Sequence, residues 1–281
     1  MKSGNRTLLC GLIGAGIQGS RSPALHEREA EAQGLHCVYK LIDLDVLGVG
    51  VEALPELLAT AGREGFTGVN ITFPCKQAVI PLLDELSDDA RALGAVNTVL
   101  FRDGRRSGHN TDWSGFAESF RRGLPDAKRD RVVLLGAGGA GSAVAHAALG
   151  LGVRRLSIFD TDSARAAALA AKLGGKAEAG GNLAAAMAEA DGLIHCTPTG
   201  MAKQPGMALQ AALIEKKHWV ADVVYVPLET ELLCVARAKG CRTLDGGGMA
   251  VFQAVGAFRL FTGIEPDAER MLRHFLSMGG A

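Results

Sequence analysis

Arg131-Val-Val-Leu-Leu-Gly-Ala-Gly-Gly-Ala-Gly141 is the stretch from which the rest of the chain can be read. Val132 to Leu135 are four consecutive apolar residues, the pattern of a short strand buried on both faces. The glycines follow as G-x-G-x-x-G: Gly136, Gly138 and Gly141, with Ala137, Gly139 and Ala140 between them. Glycine at those three places permits a tight turn, a close approach of backbone to a pyrophosphate, and close packing of the next helix on the strand. An Ala-rich helix is predicted from Ser142 to about Gly150, its N-terminal N–H groups and dipole directed at the anion. Leu156-Ser-Ile-Phe159 reads as a second strand, ending in Asp160 nineteen residues past Gly141. An acid at that place hydrogen-bonds the adenosine ribose hydroxyls of a dinucleotide.

The same acid separates two cofactors. A carboxylate accepts from a free 2′-hydroxyl but repels a 2′-phosphate, which calls for arginine instead. Asp160 therefore predicts NAD in preference to NADP. Arg165 lies near enough in sequence to stack on adenine or bind phosphate.

Composition narrows the class. The chain has 281 residues, enough for two domains, and its 30 basic and 30 acidic side chains balance. That balance leaves no electrostatic footprint for nucleic acid or an anionic membrane. No apolar run approaches a membrane span, and Met1-Lys-Ser-Gly-Asn-Arg6 lacks the apolar stretch of a signal peptide. The six cysteines form no C-x-x-C pair and the seven histidines no H-x-x-x-H, so no metal site is expected. A soluble cytoplasmic protein is the expectation, with a homodimer left open. The 37 glycines fall at element boundaries and predict many short βα turns.

Near the start, Leu8-Leu-Cys-Gly-Leu-Ile13 reads as a strand followed by a second G-x-G-x-x-G match, Gly14-Ala-Gly-Ile-Gln-Gly19, with Asp43 24 residues beyond. Ser22-Pro23 argues against phosphate there. Serine as N-cap and proline in the first turn start the helix only after the glycines have ended. Such a loop offers the hydroxyls of Ser20 and Ser22 beside Arg21, suited to a polyhydroxylated ligand. Further on, strands are predicted at Val38–Ile42, Phe66–Thr72 and Val96–Phe101, and helices at Val51–Ala61 and Asp84–Ala92. Asp103-Gly104 signals a hairpin. This alternation predicts a first α/β domain with a largely parallel sheet. After a linker around Leu124-Pro125-Asp126, βα units repeat, and Gly246-Gly-Gly248 reads as a hinge back to the first domain. The predicted division is 1–111 with 250–281 for substrate binding and catalysis, and 112–249 for a Rossmann dinucleotide-binding domain.

Polar residues gather where strands end: Asn70, Thr72 and Lys76; Asn97 and Thr98; Asn110 to Asp112. Amides and hydroxyls suit ring hydroxyls, and a lysine can relay the proton of an alcohol being oxidised. The same residues also suit turns and helix caps, and spacing alone does not choose.

The chain resembles the shikimate dehydrogenase family nearly end to end, most closely the NAD-preferring quinate/shikimate branch. The resemblance is carried by Ser20-Arg-Ser-Pro-Ala-Leu-His26, Val69-Asn-Ile-Thr-Phe-Pro-Cys-Lys76, Gly94-Ala-Val-Asn-Thr98, Gly108-His-Asn-Thr-Asp-Trp-Ser-Gly115, Cys196-Thr-Pro-Thr-Gly-Met201 and Met249-Ala-Val-Phe-Gln253. It implies reversible oxidation of a ring hydroxyl of shikimate or quinate, small hydroxylated ring carboxylates, to the 3-dehydro ketone. Lys76 and Asp112 would be the catalytic pair, with Lys76 as base or proton relay left open. Ser20, Ser22, Thr72, Asn97, Gln253 and Tyr225 would hold the substrate. Thr197, Met201, Val223 and Gly246 would join Gly136–Gly141, Asp160 and Arg165 around the cofactor. Two departures stand out. Asp160-Thr-Asp-Ser-Ala-Arg165 replaces the Asn-Arg-Thr/Ser of NADP-dependent members, and Ser22 stands where quinate-active members often have threonine. One methyl can shift the fit of a crowded carboxylate site by roughly 1–3 kcal/mol. Rival readings are an aminoshikimate-type dehydrogenase and a catalytically silent NAD-binding sensor; a sensor would be expected to have lost Lys76 or Asp112, and both are present.

Overall fold

The computed structural model describes residues 7–279, which fall into two units. One lies within Met1–Thr111 and Gln253–Ser277, the other within Asp112–Phe252.

The first unit is built on β1 (Leu8–Gly14), β2 (Cys37–Asp43), β3 (Gly68–Ile71), β4 (Glu85–Leu86), β5 (Thr98–Arg102) and β6 (Arg105–His109), in the order β2-β1-β3-β5-β6-β4. Five strands run one way and β5 runs against its neighbours β3 and β6, so the sheet is largely parallel. The β5–β6 turn has positive φ at both Asp103 (51°) and Gly104 (74°), the type I′ geometry that matches strand twist. Alternate side chains enter opposite layers. Ile13, Val69, Ile71 and Val99 pack with Leu54, Leu58 and Ala61 of helix Leu54–Arg63. Cys10, Leu12 and Leu100 pack with Ala257 and Phe261 of helix Gly247–Thr262.

The second unit carries β7 (Arg131–Leu135), β8 (Arg155–Phe159), β9 (Ala177–Ala179), β10 (Gly192–His195), β11 (Trp219–Asp222) and β12 (Arg242–Leu244). All pairs are parallel and the order is β12-β11-β10-β7-β8-β9. This is a doubly wound sheet whose order reverses between β7 and β10, the place where such folds bind ligands. Val132, Leu134, Leu156 and Ile158 face one helical layer, and Val133, Leu135, Leu193 and Val220 the other. The α/β fold expected from the sequence is therefore present in both units.

Several local expectations are corrected. Ser22 does not cap its helix: Ser22–Ala32 has Arg21 at the N-cap position, with no side-chain capping bond. The helix expected from Val51 starts at Leu54, after a short 3₁₀ turn, Val51–Ala53. Asp84–Ala92 is not one helix, because Glu85 and Leu86 pair with Ser107 and Gly108 of β6. The helix, Asp88–Leu93, begins where Ser87 Oγ accepts from the Ala90 N–H at 3.2 Å. The helix after β7 begins at Gly139, inside the glycine motif rather than after it. Gly247 and Gly248 are not loop, since they open the helix Gly247–Thr262. Those glycines serve contact instead. A Cβ on Gly248 would lie 2.2 Å from Ser119 Oγ, and one on Gly246 2.4 Å from the Val223 carbonyl oxygen.

Candidate functional site

In the first unit the polar residues collect at one edge of the sheet. Gly14 ends β1, Thr72 follows β3, and β5, running the opposite way, begins there at Thr98, with Asn97 just before it. The Thr72 N–H donates to Ile13 O at 2.9 Å, which ties the two strand ends together. Lys76, half-buried on the short helix Cys75–Ala78, has its carbonyl held by the Val96 N–H at 2.9 Å. Lys76, Thr72 and Asn97 thus sit on backbone segments bonded to one another. The Ser20 hydroxyl donates to Ser22 Oγ at 3.2 Å, so the two hydroxyls sit side by side.

Asn70 and Asn97 are both buried and both tied by their side chains to neighbouring backbone and hydroxyls. Asn70 Oδ1 accepts from the Tyr39 hydroxyl at 2.7 Å, and its amide donates to Thr98 Oγ1 at 2.9 Å. Asn97 Oδ1 accepts from the Thr111 N–H at 2.8 Å, while its Nδ2 donates to Thr111 Oγ1 at 2.9 Å. Asn97 thereby holds Thr111, the residue before Asp112. Gly256 abuts the same threonine, since a Cβ there would lie 3.0 Å from Thr111 Cγ2. Gln253 is three residues earlier on that helix, hence on the same face, and half-buried.

The first glycine loop is closed by its own acid. The N–H groups of Gly16 and Ile17 donate to the Asp43 carboxylate at 2.9 and 3.0 Å, and Gln18 Nε2 adds a bond at 2.9 Å. Burial alone would raise the Asp43 pKa. The bonds from Gln18, Gly16, Asp45 and Ile17 outweigh it and hold the carboxyl below its ordinary value.

In the second unit the corresponding loop is open. Helix Gly139–Gly150 starts from Gly138, which no side chain caps, and a Cβ on Gly138 would meet nothing within 4 Å. Gly136 has φ 98°, and a Cβ on Gly141 would lie 1.9 Å from the Gly136 carbonyl oxygen, so the helix sits directly on the turn. Gly139 and Ala140 lie in its first turn, where N–H groups and dipole favour an anion. Asp160, half-buried past β8, accepts from the Ala137 N–H at 2.7 Å and the Asp162 N–H at 2.8 Å. Burial opposes its ionisation, but those bonds and the Arg165 charge hold its pKa below the usual value. Open space at Gly138, an uncapped helix start and an ionised acid past the next strand fit the pyrophosphate and ribose of a dinucleotide. Arg165 is exposed, and its Nε donates to Asp162 Oδ2 at 3.1 Å.

Across the switch point, Thr197 follows β10, and its Cγ2 would be 3.1 Å from a Cβ on Gly136. Gly246 approaches Val223 as described above. Met201 is 44% exposed, Tyr225 half-buried after β11, and Asp112 buried at the start of helix Asp112–Gly123. Sequence reasoning missed His195 and Asp222. Both end fully buried strands and are direct neighbours in the β10–β11 register. The available signal was a titratable residue closing each of two otherwise apolar strands. Among the described residues, no group of three or more His, Cys, Asp and Glu is arranged to hold a metal ion, and no helix is long and apolar enough to cross a membrane.

Comparison with known proteins gives a consistent result. Three family models match: the shikimate dehydrogenase substrate binding domain over residues 12–99, shikimate/quinate 5-dehydrogenase over 118–219, and the shikimate 5'-dehydrogenase C-terminal domain over 246–274. The chain is 60% identical to a shikimate dehydrogenase (NADP(+)) of Streptomyces avermitilis, covering 97% of this chain and 96% of that protein. It is 52% identical to a quinate/shikimate dehydrogenase (NAD(+)) of Corynebacterium efficiens, covering 97% and 99%. Among solved structures, quinate dehydrogenase from Corynebacterium glutamicum in complex with NAD superposes with a TM-score of 0.90 at 50% identity, covering 96% of this chain and 99% of that one.

Proposed function

The chain belongs to the shikimate dehydrogenase family, and from that premise we propose that it reversibly oxidises a ring hydroxyl of shikimate, and of quinate, to the 3-dehydro ketone. It is an oxidoreductase that uses a nicotinamide dinucleotide. The observation that carries the reading is the open glycine loop at the switch point of an all-parallel sheet, with Asp160 past the neighbouring strand.

When bound, the dinucleotide supplies the acceptor for the hydride leaving the alcohol carbon. Gly136 to Gly141 hold its pyrophosphate, and Thr197, Met201, Val223 and Gly246 line the nicotinamide half. Lys76 Nζ relays the hydroxyl proton as the ketone forms, and Asp112 is its carboxylate partner in the catalytic pair. Ser20, Ser22, Thr72, Asn97, Gln253 and Tyr225 hold the ring carboxylate and hydroxyls. Asp160 selects NAD over NADP, because its oxygens accept from ribose hydroxyls and repel a 2′-phosphate. Asp162 adds a second carboxylate there, and Arg165, whose Nε bonds Asp162, lies beside the adenosine half.

The test is a matrix of initial rates, shikimate and quinate crossed with NAD and NADP. We expect turnover of shikimate, with NAD favoured by about tenfold or more. Equal rates with both dinucleotides, or a preference for NADP, would reject the role given to Asp160.

A further inference from the structure

Beneath the loop that follows β10 lies a polar network with a single carboxylate at its centre. Asp222 Oδ1 accepts from His195 Nδ1 at 2.9 Å and from the Val224 N–H at 3.0 Å. Its Oδ2 accepts from the Thr230 hydroxyl at 2.8 Å. Thr230 in turn caps helix Glu231–Ala238 through the Leu233 N–H at 3.3 Å. His195 and Asp222 are 1% and 2% exposed, so water does not compete for these bonds. A carboxylate only accepts, so the proton facing it resides on His195 Nδ1. In the neutral ring Nε2 is then an acceptor, and it lies 2.5 Å from Thr197 Oγ1. The Thr197 hydroxyl is thereby committed as donor to the ring, and its oxygen accepts from the Thr199 N–H at 3.2 Å. The Val223 N–H donates to the His195 carbonyl oxygen at 3.0 Å, closing the same knot through the backbone.

The topology says which part of a dinucleotide this knot faces. Asp160 lies past β8, on one side of β7, whereas β10 and β11 lie on the other. A dinucleotide crossing the β7 glycine loop with its adenosine ribose at Asp160 carries its nicotinamide half toward β10 and β11. We propose that His195 and Asp222 are a positioning pair for the nicotinamide end, acting through the Thr197 hydroxyl and the Val223–Val224 backbone. The proposal rests on the dinucleotide reading above. Neither residue touches the ligand. They act by fixing the turn that does, as the partners behind a binding side chain generally do.

Calorimetric binding of NAD and of ADP-ribose, which lacks the nicotinamide, separates this role from a merely structural one. Thr197→Val keeps the side-chain volume and the His195–Asp222 bond, and a melting curve confirms that the variant is folded before binding is read. It should weaken NAD about 5–30-fold and leave ADP-ribose within about twofold, the scale of one lost hydrogen-bond link. His195→Leu should do the same, and the double variant should be no worse than either single one, because both cut one chain of bonds. His195→Gln, which offers a donor and an acceptor on one planar group, should recover most of the affinity. Wild-type NAD affinity in Thr197→Val, additive losses in the double variant, or an equal loss of ADP-ribose would overturn the proposal. Wild-type protein that binds neither ligand would instead overturn the dinucleotide reading, and the proposal would fall with it.

Discussion

The chain contains the same glycine pattern twice, and only one copy keeps its amides available. In both, the strand ends at or just before the first glycine, and the acid lies at or just past the end of the parallel neighbour. Gly14 pairs with Asp43 in register, and Asp160 follows Phe159, the partner of Leu135. The difference lies in what comes next. After Gly138 the chain enters a helix at once, so successive N–H groups point outward and a short acid partner reaches only Ala137. After Gly16 the chain makes a further loop until Ser22, and Asp43 turns inward to take the N–H groups of Gly16 and Ile17. An anion site is thus defined by unclaimed donors rather than by glycine spacing. A carboxylate from the chain itself can occupy it permanently.

The largest effect that tests this division should come from Lys76. Lys76→Ala should lower kcat by roughly 10²–10⁴-fold, the range for a positioned acid–base group. Dinucleotide affinity should barely change, because the cofactor loop belongs to the other unit. A rise in KM with kcat unchanged would mean that Lys76 only binds substrate. The two loops themselves should then answer differently to the same change. Gly138→Val places a side chain in open space with φ −75°, so folding is tolerated, and dinucleotide binding should weaken by about 10–100-fold. Gly19→Val also meets open space and should leave dinucleotide affinity within about twofold. Equal losses at both sites in a binding titration would break the comparison.

The smallest effect concerns stability. Asp43→Asn should cost about 1–3 kcal/mol at neutral pH, since it weakens charge-assisted bonds made by a buried carboxylate to Ile17, Gly16 and Gln18. The sign of the pH dependence follows from the carboxyl being held below its ordinary value. Its contribution is complete above about pH 4, the unfolded carboxylate range, and is lost as pH falls through the folded-state value. Melting curves of wild type and variant should therefore converge on acidification from pH 7 toward pH 3. A constant gap would show that Asp43 acts through shape rather than charge.

Much of this was legible in the residues. The β7 strand, glycines, β8 and Asp160 follow from local pattern, because each is decided within a few positions. Pro23 correctly signalled a helix starting beyond the first glycine loop, although Ser22 lies inside that helix and Arg21, not Ser22, precedes it. What escaped depends on partners remote in sequence. Glu85 and Leu86 became strand because β6 lay beside them, a pairing that no helical period reveals. Gly247 and Gly248 looked like a break because glycine is usually one. In the fold both open a helix, and Gly248 makes room for Ser119. His195 and Asp222 meet only once β10 and β11 are placed in register.

The uninterrupted helix Gly247–Thr262 has a consequence for how the protein is made. The first unit's sheet is complete by His109, yet one of its faces packs against Ala257 and Phe261. A ribosome adding about 5–20 residues per second needs on the order of ten seconds or more to travel from one to the other. Throughout that interval the growing chain presents Cys10, Leu12 and Leu100 without their final cover, while the second unit can fold behind them. The apolar side of β1 and β5 is therefore the surface that a chaperone would meet first, and slowing synthesis between the two units would lengthen its exposure.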